Sequence, residues 1–317
     1  MKYAWIQVHR GNFPVKACCR VLGVSTAGYY RQRKAGVSEA ALKQRELDAA
    51  VAKSHADSNR VYGCRKVAAD LNLGGGPVKA CLNTVAKSTK RQGLVSKVKH
   101  RFKPGTTHSN PLHPKAANVL DRGFNAEAPN DKWVTDITYI DTAEGWAYLA
   151  TVTDLFARKI VGWAIADHMR TPLVVEALRD AVEQRRPGHD REDAADEPFA
   201  VGLLLHSDRG SRYTSNEFCS ILRTLNIQQS MSGKAECWDN AVAETVFGKL
   251  KGEWTEHEQY ADLAEARLSI RRYVRWFNHK RRHQGLGYLT PEEAERAFYK
   301  ASNESASTPA ATVAAGG

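Results

Sequence analysis

The chain has 317 residues, 42% of them apolar and 26% charged, which is enough to bury a core and excludes fibrous, mucin-like and wholly disordered proteins. No apolar run approaches the roughly 18 residues a membrane-spanning helix needs, so no membrane partner is expected. His9 and Arg10 fall where a secretion signal keeps its apolar stretch, and the six cysteines lack C-x-x-C spacing; both features predict a cytoplasmic protein with reduced thiols. The net charge of +11 is unevenly spread: residues 1–115 hold 22 Lys or Arg against 5 acids, whereas the remainder is mildly acidic. Nine bases and no acid lie between Asp70 and Asp121. Such a block points to a polyanion, most commonly nucleic acid, in preference to a merely solvated face.

In chain order, Pro14 opens a short helix, Leu22-Gly23-Val24-Ser25 makes a turn, and Ser25 caps a second helix over Thr26–Arg33, in the manner of a helix-turn-helix unit. Further helices are expected at Ala40–Ser54, Gly63–Leu73 and Asn83–Gln92, and Pro104–Pro114 reads as a linker. The pattern then changes. Trp133–Ile140, Trp146–Val152 and Lys159–Ile165 are rich in β-branched and aromatic residues and predict strands. Thr171–Arg185 reads as a helix with Pro172 in its first turn, and Arg186–Pro198 as a surface loop. The apolar run Ala200–Leu205 predicts a buried strand, followed by a helix at Ser215–Leu225 and a strand at Asn226–Ser230. Helices follow at Asp239–Lys251, capped by Asp239, and at Leu263–Lys280; residues 301–317, rich in Ala, Ser and Thr, read as a disordered tail. Strands followed by alternating helices and strands argue for an α/β sheet covered by helices. The expected domains are a helical, nucleic-acid-binding region with a basic linker, 1–115, and an α/β domain, 125–292.

Three carboxylates have unusual settings. Asp136 interrupts a strand, where a charge must be desolvated. Asp208 follows the buried strand, at the end where α/β sheets place their sites. Glu244 sits early in a helix and shares a face with Asn240 and Lys251. Singly, each has an ordinary structural reading: an edge or turn residue, a loop cap, a solvated helix position.

Together they carry more. Trp133-Val134-Thr135-Asp136-Ile137-Thr138, then His206-Ser207-Asp208-Arg209-Gly210-Ser211-Arg212-Tyr213, then Ser230-Met231-Ser232 and Cys237-Trp238-Asp239-Asn240-Ala241 leading to Glu244, are spaced with 35 residues between Asp208 and Glu244. Lys251 and the run from Phe277-Asn278 through Arg281-Arg282-His283 to Leu289-Thr290-Pro291 complete the pattern. With these motifs the chain resembles the DDE transposase and retroviral-integrase superfamily, and more narrowly the catalytic second-frame protein of the insertion-sequence-three family. It departs from that family at Lys234-Ala235-Glu236 and at Lys87-Ser88-Thr89, where neutral and apolar residues are usual.

The resemblance implies an RNase H-like core, a mixed five-stranded sheet flanked by helices, preceded by a helical helix-turn-helix-like region. It implies a transposase that binds insertion-sequence ends and cuts and joins DNA strands at the terminal inverted repeats. The cofactor implied is Mg²⁺ or Mn²⁺, two ions when DNA is bound, with Asp136 bridging both, Asp208 holding one and Glu244 the other. Hard divalent ions take oxygen ligands, and a pair of them stabilises attacking and leaving oxygens in phosphodiester chemistry. Lys251 and Asn240 would meet terminal DNA, and Arg271, Arg275 and Arg281, with Arg272, Lys280 and Arg282, would track phosphates. His206, Tyr139 and Trp163 read as packed residues, and Asp154 as a structural hydrogen-bond acceptor. The implied partners are DNA, further copies of this chain assembled on it, and a first-frame protein; no heptad zipper is visible. The implied setting is the bacterial cytoplasm, at the nucleoid. Rival readings are a non-catalytic DNA-binding regulator, against which three intact carboxylates speak, and a metal nuclease without strand transfer, against which the basic block and Lys251 speak.

Overall fold

The computed structural model describes residues 1–34, 38–97, 115–185, 202–233 and 240–307. Helices α1 (Lys2–His9), α2 (Val15–Val21) and α3 (Thr26–Lys34) form a small unit around Ile6, Cys18, Cys19 and Tyr29. The α2–turn–α3 step is the one the sequence predicts, with Gly23 at φ 63° in the turn; α1 carries no capping side chain and has no counterpart among the expected elements. Next come α4 (Glu39–Asp57), whose first turn is capped by the Ser38 hydroxyl accepting from Ala41 N, α5 (Cys64–Leu73) and α6 (Leu82–Arg91). The unusual Lys87-Ser88-Thr89 has a local explanation. Ser88 is fully buried and donates to Asp48 on α4, which also receives Arg91. A polar clasp thus stands where an apolar contact would otherwise do.

The sheet consists of β1 (Lys132–Thr142), β2 (Gly145–Asp154), β3 (Ile160–Ala166), β4 (Leu204–Ser207) and β5 (Gln228–Met231), in the order β3-β2-β1-β4-β5. The first three strands run antiparallel as a meander, and β4 and β5 add in parallel. Helix α7 (Thr171–Arg185) joins the two halves and α8 (Asn216–Thr224) joins β4 to β5; α9 (Ala241–Glu253), α10 (Leu263–His279) and α11 (Pro291–Ser307) follow. This is the RNase H-like topology the resemblance implies.

Alternation along β1 divides the core. Trp133 packs with Ala150, Val152 and α7 on one face, whereas Ile140 packs with Leu149, Val246, Phe247 and Leu250 on the other. Helix α7 lies so close to β3 that a Cβ added at Gly162 would come within 2.4 Å of the backbone at Ala177 and Ala181. Gly162→Ala is therefore expected to destabilise the protein by about 1–3 kcal/mol, the usual cost of overpacking. Urea unfolding measures this directly.

The second core does not stop at the catalytic domain. Leu47, Val51, Tyr62, Val67 and Val85 of the α4–α6 module belong to the same apolar cluster as Tyr273, Trp276 and Phe277 of α10. Polar contacts reinforce the junction: the Tyr62 hydroxyl donates to Lys280 O and accepts from Arg282 N, each at 2.8 Å. At the outer edge of the sheet, the Asn278 amide pairs with both backbone groups of Ile160, covering a strand edge that would otherwise be open.

Three expectations need correction. Helix α9 begins with Asn240 in the capping position; Asp239, the expected cap, lies outside the described residues, as do Lys234-Ala235-Glu236, the Pro104–Pro114 linker and the Arg186–Pro198 loop. The buried strand is Leu204–Ser207, not Ala200–Leu205. Residues 301–307 continue α11, so the expected tail begins too early. That helix is anchored upstream by Phe298 against Phe156 and by Glu295, which pairs with Lys159 and Arg185. Among the described residues all cysteines are free, and no helix is long and apolar enough to cross a membrane.

Candidate active site

Strand register decides where the carboxylates go. The last pair between β1 and β4 is Val134 with His206. Asp136 and Asp208 each lie two residues beyond that pair on neighbouring parallel strands, so both side chains emerge on the same face, about one strand spacing apart. Helix α9 covers this face, because Ala243 packs against Val134 and Leu204. Glu244, the next residue, is exposed in the first turn of that helix.

This placement sets the charge state of the carboxylates. Burial and the adjacent Asp208 carboxylate push the Asp136 carboxyl up to about 8; the Ile137 N–H opposes the shift and Glu244 adds a smaller push. Glu244 is itself raised by partial burial. Asp208 is braced by Gly210 N at 2.9 Å, and Asp136 by Ile137 N at 2.8 Å. Tyr213, from the motif that carries Asp208, lies buried behind the pair, 3.3 Å from Thr135 Oγ1. Burial and both aspartates hold its phenol well above the usual range, hence neutral. Sequence reasoning did not single out Tyr213. Its only signal is its place in the motif.

The sign of the Asp136 shift gives a prediction. Between about pH 4 and pH 8 the folded protein holds a proton that the unfolded chain has released, so stability falls as pH rises through this window. Asp136→Asn should therefore melt higher than the parent at pH 8 in chelator, and the advantage should shrink towards pH 4. Thermal unfolding at the two pH values checks it.

The donor set suits a hard divalent cation: three carboxylates, open to solvent on one side, with the innermost made unfavourable as an anion until a positive charge arrives. Among the described residues no group of three or more His, Cys, Asp or Glu is gathered closely enough to hold a metal ion; the β1–β4 register sets Asp136 and Asp208 side by side, without closing a three-ligand group with Glu244.

The other predicted residues divide. Lys251 is half-buried, with Nζ 4.0 Å above the Tyr139 ring and its charge disfavoured by that burial. Tyr139, expected to be packed, is instead a partly exposed platform for this ammonium, edge-on to Trp146. With Trp146, Glu256 and Tyr260 these two residues line a groove of about 520 Å³ at the end of β1. Asn240 is buried, and among the described residues its Oδ1 has no hydrogen-bond partner. Arg271 and Arg275 are exposed one turn apart on α10. Arg281 is not on that face. It is 3% exposed and gives both its Nε and a terminal nitrogen to Glu253, so its expected role in tracking phosphates is withdrawn. Arg282 is likewise buried, between Asp70 and Glu293. His206 is packed, 2.9 Å from Ser230 Oγ, and Asp154 is fully buried, accepting from Asn130 N and Phe156 N, as the sequence predicts.

Comparison with known proteins adds the lineage. The family described as "Integrase core domain" matches residues 126–237 and, in a second model, 225–291; an "HTH-like domain" matches 41–102. The latter falls on α4–α6, downstream of the α2–α3 unit. "Transposase InsF for insertion sequence IS3A" of Escherichia coli (strain K12) is 35% identical over 93% of this chain and 98% of its own length. The chain belongs to the IS3 family of transposases. The "Putative transposase for insertion sequence element IS986/IS6110" of Mycobacterium tuberculosis (strain CDC 1551 / Oshkosh) is also 35% identical, over 87% of this chain and 96% of its own length. This transposase is a DDE-type enzyme with an integrase core. Among solved structures, a chain of the simian T-cell lymphotropic virus intasome in complex with PP2A regulatory subunit B56 gamma aligns over 77% of this chain and 74% of its own, with 16% identity and a TM-score of 0.44. The catalytic core domain of BIV integrase aligns over 55% and 99%, with 17% identity and a TM-score of 0.39.

Proposed function

We propose that the transposase binds the ends of an insertion sequence and performs divalent-metal-dependent strand cleavage and strand transfer at Asp136, Asp208 and Glu244. The observation that carries the reading is the shared face of Asp136 and Asp208 beyond the Val134–His206 pair, with α9 bringing Glu244 over it. Bound Mg²⁺ or Mn²⁺, two ions when DNA is present, supplies charge stabilisation for the phosphodiester oxygens. Asp136, Asp208 and Glu244 would hold the ions, Asp136 as the shared ligand and Asp208 and Glu244 with one ion each. Tyr213 and Thr135 wall the aspartates from the other face of the sheet, while α9 covers the face on which they emerge.

Lys251, held on Tyr139, meets terminal DNA next to the cut, and Asn240 orients it at the start of α9. Arg271 and Arg275 follow the backbone farther out. The α4–α6 module and the basic block hold the repeat. The partners proposed are DNA, further copies of the chain assembled on it, and a first-frame protein; the setting proposed is the bacterial cytoplasm, at the nucleoid.

The test is incubation of the full chain with a duplex ending in the element's terminal repeat, with Mg²⁺ or with chelator. Ends cut to a free 3′-hydroxyl and joined to a second duplex only in Mg²⁺ support the reading. Cutting without joining would reduce the enzyme to a nuclease, and binding without either to a regulator.

A further inference from the structure

The groove at the end of β1 lies between two walls that are fixed to each other. One wall is the β1–β2 hairpin. Gly145, at φ 124°, closes its turn, the Thr142 hydroxyl donates to Gly145 O at 2.6 Å, and Trp146 stands opposite Asp141 in the strand register. The other wall runs from Lys251 near the end of α9 through Glu256 to Tyr260. The Ala143 N–H donates to Tyr260 O at 2.9 Å and ties the hairpin to this segment. Ile140 and Tyr260, both buried, give the groove an apolar base. Its volume of about 520 Å³ is thus preformed.

The lining sorts the possible occupants. Trp146 is 52% exposed, and its ring meets the Tyr139 ring edge to face at 83°, with centroids 4.9 Å apart. Lys251 Nζ stands 4.0 Å above the Tyr139 ring, so the indole offers the freer aromatic surface. Against this one cation stand Asp141, Glu256 and Glu258. Glu258 accepts from the Tyr260 and Ser269 hydroxyls, whereas Asp141 and Glu256 are exposed. A phosphate inside the groove would face three carboxylates, and an aliphatic group would desolvate them without pairing them. A flat, uncharged ring with N–H donors on its edge suits both features: its face stacks on the indole and its edge donates to the acids. Position narrows the choice further. Lys251 lies two turns beyond Glu244 on α9, and Tyr139 three residues beyond Asp136 on β1. Each path is about 10 Å long, the rise of about three nucleotides along one strand of a duplex. A terminus seated at the carboxylates brings its last few bases to the rim of the groove.

We infer that the groove takes one unpaired nucleobase of the terminal repeat, about three nucleotides from the reacting phosphate, stacked on Trp146 with its amino edge towards Asp141 and Glu256. The inference rests on the proposed reading of the chain as an enzyme that cuts and joins DNA ends. Holding one base out of the duplex fixes which phosphate lies at the carboxylates. Trp146 is therefore a positioning residue.

The experiment measures the affinity of the full chain, in chelator, for duplexes ending in the terminal repeat in which each of the last few nucleotides of either strand is made abasic in turn. The parent should lose about tenfold at one position, the worth of one base on an aromatic platform. It should gain affinity when the base at that position is mismatched, because the cost of unpairing has been removed. Trp146→Ala, a surface substitution that should melt close to the parent, should bind the abasic and intact duplexes equally. Trp146→Tyr should restore most of the difference. A flat scan in the parent, as expected if the acids hold a basic segment of another copy instead, would overturn the base site while leaving the proposed function standing. A Trp146→Ala protein that keeps the parent's abasic loss would overturn it equally. A parent that binds none of the duplexes would overturn both.

Discussion

Asp136→Asn, Asp208→Asn and Glu244→Gln are each expected to lower strand cutting and joining by about three orders of magnitude or more, because groups that act as one unit fail together. Affinity for terminal-repeat duplex should stay within a few-fold of the parent, since the proposed holding surfaces lie elsewhere. The contrast is what identifies a catalytic site. Asp136 and Asp208 share a face set by the β1–β4 register, and Asp136 feels both other carboxylates. A gel assay that separates bound, cut and joined DNA reads all three quantities. Substantial cutting by any of these variants would remove that residue from the site.

The second large effect concerns folding. Glu253 is 4% exposed and is the acid that receives buried Arg281, while Lys66 and Lys249 stand close by. Glu253→Gln leaves that guanidinium buried beside like charges. Breaking such a pair from one side typically costs about 3–5 kcal/mol, here a fall in Tm on the order of 10 °C. Arg281→Met/Glu253→Met should cost less than Glu253→Gln alone, since no unpaired charge remains. If the single substitution cost under about 1 kcal/mol by thermal and urea unfolding, the pair would be ornamental and the reassignment of Arg281 from DNA to fold would lose its support.

The elements with strong local signals were legible in the sequence. Helix α7 occupies Thr171–Arg185 as the Thr-Pro start and amphipathic pattern require. The α2–α3 turn follows from a glycine and a capping serine. The carboxylates were legible too, because Asp136 breaks the chemistry of a strand and Asp208 ends one. That Asp136 and Asp208 share a face was not derivable locally: it depends on which residue of β1 faces which residue of β4, and pairing register between distant segments leaves no mark on either.

Where sequence reasoning failed, it treated density as exposure. Bases from Arg271 to Arg282 look like one cationic face, yet α10 stops at His279. The chain then turns inwards and buries Arg281 and Arg282 against Glu253, Asp70 and Glu293. Residues 301–307 read as disordered from composition, but a helix nucleated upstream propagates through residues with no strong preference of their own.

The most direct test of the central claim is to count Mn²⁺ on the complex of the full chain with terminal-repeat duplex. The parent should hold two ions when DNA is bound, and Asp208→Asn and Glu244→Gln should each hold fewer at equal DNA occupancy. Equal Mn²⁺ content in the parent and in both variants would contradict a metal site built from these carboxylates.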